Sequence, residues 1–261
     1  MSTPLRRNRP QGFSTRAIHL GYDPATAQGA LTPPIYMTST FAFETAEAGS
    51  EMFKGERPGY IYGRTRNPTQ TILEERMASL ENGEAAMTTG SGMAAISATM
   101  KTLLSSGDEA VIDHTVYGNT FAYFTQALPR FGITVRLADF TDPESLRDVV
   151  NEKTKIIFFE TPANPNLRVI DIAAVVAIGN SIGATVVVDN TFATPVLQRP
   201  LEMGVDVVVH SATKYLGGHG DLLGGVVIGR KDMLGQIRST GLRWITGATL
   251  SPFNCFLMMR G

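Results

Sequence analysis

Lys214 stands in Ser211-Ala212-Thr213-Lys214-Tyr215, directly after a strongly apolar run from Val205 to Ser211. Asp189 ends a second apolar run, Ala184-Thr185-Val186-Val187-Val188-Asp189-Asn190. A primary amine can form a covalent imine with a carbonyl group, and the hydroxyls of Ser211 and Thr213 can bond a phosphate. A carboxylate carried by an apolar strand needs a cationic partner, and a protonated ring nitrogen is one. Together these groups are the minimum set for holding pyridoxal phosphate. Lys214 is then the covalent anchor, and its freed amine the proton shuttle.

Other segments fit the same chemistry, each with a plainer alternative. Gly90-Ser91-Gly92-Met93 opens a helix, where backbone N–H groups can approach a phosphate, although such a run is also an ordinary tight turn. Tyr117, between a strand and a helix, can stack on a ring and assist proton transfer, or simply pack. Asn164, in Thr161-Pro162-Ala163-Asn164-Pro165, can meet a ring oxygen or serve a turn. In Tyr60-Ile61-Tyr62-Gly63-Arg64, Tyr62 and Arg64 can bond phosphate, or keep a loop hydrated. The four histidines, His19, His114, His210 and His219, show no metal-ligand spacing, so no metal is expected.

The elements that must position these groups alternate between helix and strand. Asn67-Pro68-Thr69-Gln70 reads as a capped helix start, and Ile72, Leu73, Met77 and Leu80 as one apolar face. Helices are predicted over 90–104, 119–131, 171–181 and from a Thr141/Glu144 capping box to Val150. Strands are predicted over 110–112, 133–137, 155–160, 184–189, 205–210 and 225–228. Near-continuously apolar strands suit a mostly parallel sheet covered on both faces, with ligands beyond the strands' carboxyl ends. Residues 1–63 read as an extended arm reaching a neighbouring subunit, 64–250 as the cofactor-binding α/β domain, and 251–261 as the start of a truncated C-terminal helix or domain.

With 261 residues the chain can bury a real core. Its 23 basic and 24 acidic residues nearly cancel, which favours neither nucleic acid nor an anionic membrane as partner. Arg6, Arg7 and Arg9 form the one basic cluster. No apolar run approaches a membrane span, and the start lacks a secretory apolar segment. A single cysteine, Cys255, forbids an intrachain disulfide and fits a reducing compartment. A cytoplasmic location is the expectation.

These motifs resemble the pyridoxal-phosphate enzymes of cysteine and methionine metabolism, the trans-sulfuration group of the aspartate-aminotransferase fold. The resemblance runs from Gly12 onward. It rests on Tyr60 to Arg64, Val187-Val188-Asp189-Asn190-Thr191, Asp206-Val207, Ser211 to Leu216 and Gly218-His219-Gly220. Gly12 to His19 and Gly21-Tyr22-Asp23-Pro24 are similar to the methionine γ-lyases. The resemblance implies a fold-type-I, mostly parallel seven-stranded sheet covered by helices. It implies pyridoxal phosphate linked to Lys214, with Asp189 at the pyridine nitrogen and Tyr117 stacked on the ring. Gly92, Met93, Ser211 and Thr213 then hold the phosphate, joined across a dimer by Tyr62 and Arg64, and two dimers make a homotetramer.

The implied activity is α,γ-elimination from the amino acid L-methionine, giving methanethiol, 2-oxobutyrate and ammonia. Two substrate-pocket positions depart from the lyase pattern: Asn119 stands where it has cysteine, and Arg243 where it has lysine. Both leave open homoserine-ester sulfhydrylases and cystathionine γ-lyase or synthase. The family's C-terminal small domain, with its carboxylate-binding arginine, has no counterpart in the chain, which leaves a non-catalytic cofactor-binding fragment as a third reading.

Overall fold

The computed structural model describes residues 11–261; the Arg6, Arg7 and Arg9 cluster lies outside the described residues. Among these, seven strands form one sheet: β1 (Ala85–Thr89), β2 (Glu109–Asp113), β3 (Thr134–Ala138), β4 (Thr154–Glu160), β5 (Thr185–Asp189), β6 (Val207–Ser211) and β7 (Gly225–Gly229). Their order across the sheet is β1-β7-β6-β5-β4-β2-β3. β7 alone runs against its neighbours β1 and β6, and the other pairs are parallel. Six carboxyl ends therefore reach one edge of the sheet, which is where ligands bind in such folds.

The helices are α1 (Phe13–His19), α2 (Ala46–Lys54), α3 (Pro68–Leu80), α4 (Gly92–Leu103), α5 (Gly118–Ala122), α6 (Pro143–Arg147), α7 (Ile172–Ile182), α8 (Thr194–Leu197), α9 (Lys231–Gln236) and α10 (Pro252–Met258). α5 runs on through a π-helical turn, Tyr123–Ala127, into a 3-10 turn, Leu128–Phe131. α9 runs on as a π-helix, Ile237–Thr246.

Side chains alternate across the sheet, so its apolar strands feed two cores. Val186, Val188 and Val208 meet α3, α7 and α10 on one face. Val187, Val207 and Val209 meet α4 and the 237–246 helix on the other. Each such fully buried Val, Ile or Phe is worth about 1.5–3 kcal/mol. The mostly parallel, two-face-covered sheet expected from the apolar strands is the one observed.

Some local expectations need correction. Gln70 does not reach back to cap α3; its amide donates to the Leu250 carbonyl at 2.6 Å, while Asn67 alone accepts from the Thr69 N–H. α6 is capped by Asp142, not Thr141, whose hydroxyl instead donates to Asp139. β1 was not predicted, because Ala-Ala-Met-Thr-Thr carries little strand propensity; its place between α3 and β7 decides its state. The helix over 231–246 was not predicted either.

The arm and the chain's last residues both join the domain. Phe13 and Ala17 of α1 pack on the core, and Arg76 donates to the Leu20 carbonyl. Residues 251–261, expected to begin a further domain, put Cys255 and Met258 into the same core.

The 237–246 helix lies against α4 at Gly241, where an added Cβ would collide with the Ala98 backbone carbonyl and stand 2.7 Å from the Thr102 hydroxyl. Backbone cannot yield as a side chain can. Gly241→Ala is expected to destabilise the protein by about 1–3 kcal/mol, measured by denaturant unfolding.

Candidate active site

The carboxyl edge of the sheet holds a cavity of about 240 Å³. Its lining brings together Gly92, Met93, Tyr117, Asn164, Asp189, Ser211, Thr213 and Lys214. The elements explain this. β1 leads through Ser91, whose hydroxyl accepts from the Ala94 N–H, into α4. The first N–H groups of α4 have no intrahelical acceptor and make an electropositive end. Gly92 lets that end approach β6: a Cβ there would stand 2.7 Å from the Ser211 Cβ. Tyr117 follows β2, Asn164 follows β4, and Lys214 sits in the turn after β6.

Asp189 is buried, and its Oδ1 accepts from the Thr191 N–H at 3.0 Å and from the Thr191 hydroxyl. Thr191 Oγ1 in turn accepts from the Ser211 N–H at 2.8 Å, which ties the ends of β5 and β6 together. Neither Thr191 bond uses the Asp189 Oδ2. Burial raises the Asp189 pKa above the usual carboxylate range, against the Thr191 bonds and the charge of His210. Thr213 already exchanges bonds with Gly224: its hydroxyl donates to the carbonyl at 3.3 Å and accepts from the N–H at 3.1 Å.

Glu160 lines the same cavity and was not singled out as a site residue from sequence. It pairs in register with Asp189, so two carboxyl groups lie side by side on neighbouring strands. Burial first, and then the Asp189 charge, push its pKa up to about 8. Thr191 and Phe192 also line the cavity and were unforeseen.

Tyr62, Arg64 and Arg243 lie elsewhere. They line a second cavity of about 470 Å³ that shares no lining residue with the first. Arg64 donates to the Arg243 carbonyl at 2.6 Å, and its guanidinium lies over the Tyr62 ring. Asn119 is absent from the lining of the first cavity, but its amide donates to the Tyr117 hydroxyl oxygen at 3.1 Å. His210 is buried against Glu81 at 2.6 Å, supporting the strands and not the cavity. One cluster among the described residues, Asp113, His114 and Asp139, has metal-ligand spacing. The Arg168 guanidinium bonds both Asp139 and His114 and supplies a cation there.

The donor set fits pyridoxal phosphate: an amine, hydroxyls with a helix N-terminus, and a buried carboxylate facing the cavity. Residues 14–261 match the family model described as Cys/Met metabolism PLP-dependent enzyme. The chain belongs to this family.

The family's relatives include L-methionine gamma-lyase of Pseudomonas putida, 52% identical over 97% of this chain and 64% of that protein. L-methionine gamma-lyase of Pseudomonas deceptionensis is 53% identical over 96% of this chain and 63% of that protein. The chain thus spans 63–64% of the length of these curated relatives. A crystal structure of a putative O-acetylhomoserine (thiol)-lyase from Campylobacter jejuni superposes with a TM-score of 0.91 at 32% identity. It covers 96% of this chain and 70% of that one, and it contains N'-pyridoxyl-lysine-5'-monophosphate. Pyridoxal phosphate is the cofactor of this PLP-dependent family member.

Glu160 gives a pH signature. Between the ordinary carboxyl value of 4.5 and about 8, the cofactor-free native state holds a proton that the unfolded state has lost. The unfolded state binds fewer protons there, so this contribution to stability falls as pH rises. The melting temperature of the cofactor-free protein is expected to fall more steeply across that window than that of Glu160→Gln. Equal slopes in thermal melts would contradict the assignment.

Proposed function

We propose that this chain forms the cofactor-binding core of a carbon–sulfur lyase acting on L-methionine. With water, the substrate gives methanethiol, 2-oxobutyrate and ammonia. The observation that carries the reading is the identity of 52% and 53% to two L-methionine gamma-lyases, spread over nearly the whole chain.

Pyridoxal phosphate, when bound, supplies the electron sink that stabilises negative charge at the substrate's Cα. Lys214 holds the cofactor through Nζ. Its amine, when free, would take the substrate's Cα proton. Asp189 faces the ring nitrogen and keeps it protonated. The N–H groups at Gly92 and Met93, with the Ser211 hydroxyl and a Thr213 hydroxyl turned away from the Gly224 carbonyl, would bind the phosphate. Tyr117 stacks on the ring and protonates the departing sulfur, while Asn119 steadies its hydroxyl. Asn164 meets the ring oxygen.

Tyr62 and Arg64 serve a neighbouring subunit's phosphate, and Arg243 borders that subunit's substrate. Their cavity is rimmed by exposed Phe43 and Phe53, apolar surface suited to a partner chain. We assign the assembly as a homotetramer of catalytic dimers in the cytoplasm. No helix among the described residues is long and apolar enough to cross a membrane.

A second reading, addition of sulfide or a thiol to an acylated homoserine, is favoured by the fold match to the thiol-lyase and by Asn119 in place of cysteine. The first half of the chemistry is common to both. Cystathionine γ-lyase or synthase chemistry shares it as well.

Protein loaded with pyridoxal phosphate is expected to release ketoacid and thiol from L-methionine in equal amounts. Lys214→Ala is expected to abolish both turnover and the covalent cofactor's visible band, and Tyr117→Phe to keep the band while lowering kcat about 100-fold. Turnover only with O-acetylhomoserine and sulfide would establish the second reading. A normal band without turnover on any of these substrates would leave a cofactor-binding domain.

A further inference from the structure

We propose that Glu160 is a positioning residue of the cofactor site: its single carboxyl group clamps the backbones of Tyr117 and Asn164 to the strand end beside Asp189. The inference rests on the cofactor assignment to this cavity.

Glu160 is the last residue of β4, 4% exposed, and faces the cavity. Its Oε2 accepts from the Tyr117 N–H at 2.9 Å, and its Oε1 accepts from the Asn164 N–H at 3.2 Å. Tyr117 is the residue before α5, so its N–H lies outside that helix's own ladder. Asn164 lies in the irregular loop after β4. Neither N–H belongs to the sheet. One side chain thus supplies acceptors to two loops that bring the ring-stacking phenol and the ring-edge amide to the same cavity.

The chemistry requires a carboxyl group. Two backbone donors converge on one side chain, and a carboxyl offers two oxygens. Glutamine offers one oxygen and turns its amide donors toward the second N–H. Aspartate is one methylene shorter and cannot span both loops from the same strand end.

The clamp also responds to the ring. Glu160 and Asp189 lie side by side in register, and without a cation the burial and mutual repulsion of the pair favour a protonated Glu160. A cationic ring nitrogen at Asp189 relieves that repulsion and favours the ionised form. Both clamp bonds then become charge-assisted and stronger. Loading the cofactor tightens the hold on the two residues that contact it.

Two measurements test this on the same chain. Amide hydrogen exchange on the wild-type protein is expected to show the Tyr117 and Asn164 N–H groups protected, with about ten-fold more protection after loading with pyridoxal phosphate. In Glu160→Gln, bound cofactor is expected to keep its visible absorbance and lose at least about half its circular dichroism. Its dissociation constant should rise about ten-fold, one charge-assisted bond's worth. Rapid exchange of either amide in the loaded wild type would overturn the proposal, as would wild-type dichroism and affinity in Glu160→Gln. Should Glu160→Gln not fold, the wild-type exchange pattern decides alone. A wild-type visible band that survives Lys214→Ala would instead overturn the cofactor assignment.

Discussion

Asp189 carries a carboxylate at 8% exposure on an otherwise apolar strand, where water does little to stabilise its charge. Thr191 supplies two hydrogen bonds and, through Ser211, fixes the end of the neighbouring strand. Glu160 adds a second carboxyl group in register. Burial and the nearness of the two groups work against ionising both carboxyls at once. In the proposed site a cationic ring nitrogen at Asp189 would offset that cost and so favour cofactor binding. The start of α4 and Lys214 line the same cavity as Asp189.

The sheet's one reversal serves this geometry. β7 runs antiparallel between β1 and β6, so the end of β1 and the end of β6 lie on the same edge, separated by one strand. That brings the start of α4 against Ser211, and only a glycine at 92 lets the two backbones come so close. Close packing thus shapes the α4 end of the cavity, and buried carboxyl groups shape the Asp189 end.

A second cavity, with Tyr62, Arg64 and Arg243, carries cationic groups and exposed aromatic side chains but no amine anchor of its own. Arg64 is oriented by the Arg243 carbonyl and the Tyr62 ring, contacts that hold the guanidinium ready without committing its charge to an acid. In the proposed assembly this cationic surface beside apolar side chains would complete a site on another chain.

Local chemistry was legible in the residues themselves. The valine runs 186–188 and 207–209, leading to Asp189 and Ser211, predict buried parallel strands, because a sheet covered on both faces hides them. Asn67 before Pro68, and Ser251 before Pro252, predict helix starts because a side-chain oxygen and a proline satisfy the first turn locally. Lys214 with its flanking hydroxyls, read together with Asp189, carries the expectation of covalent cofactor chemistry.

What only the tertiary structure decided depends on partners distant in sequence. β1 is a strand because β7 pairs with it. The Gln70 side chain bonds the Leu250 carbonyl and not the start of its own helix. Arg243 faces Tyr62 and Arg64 and not Lys214. Glu160 reads in sequence as the last residue of a strand; its pairing with Asp189 and its hold on Tyr117 and Asn164 come from strand register and two loops folding back over one edge. Propensity and spacing act over a few residues, whereas register, burial and electrostatic coupling act across the whole sheet, and those set the working geometry of the site.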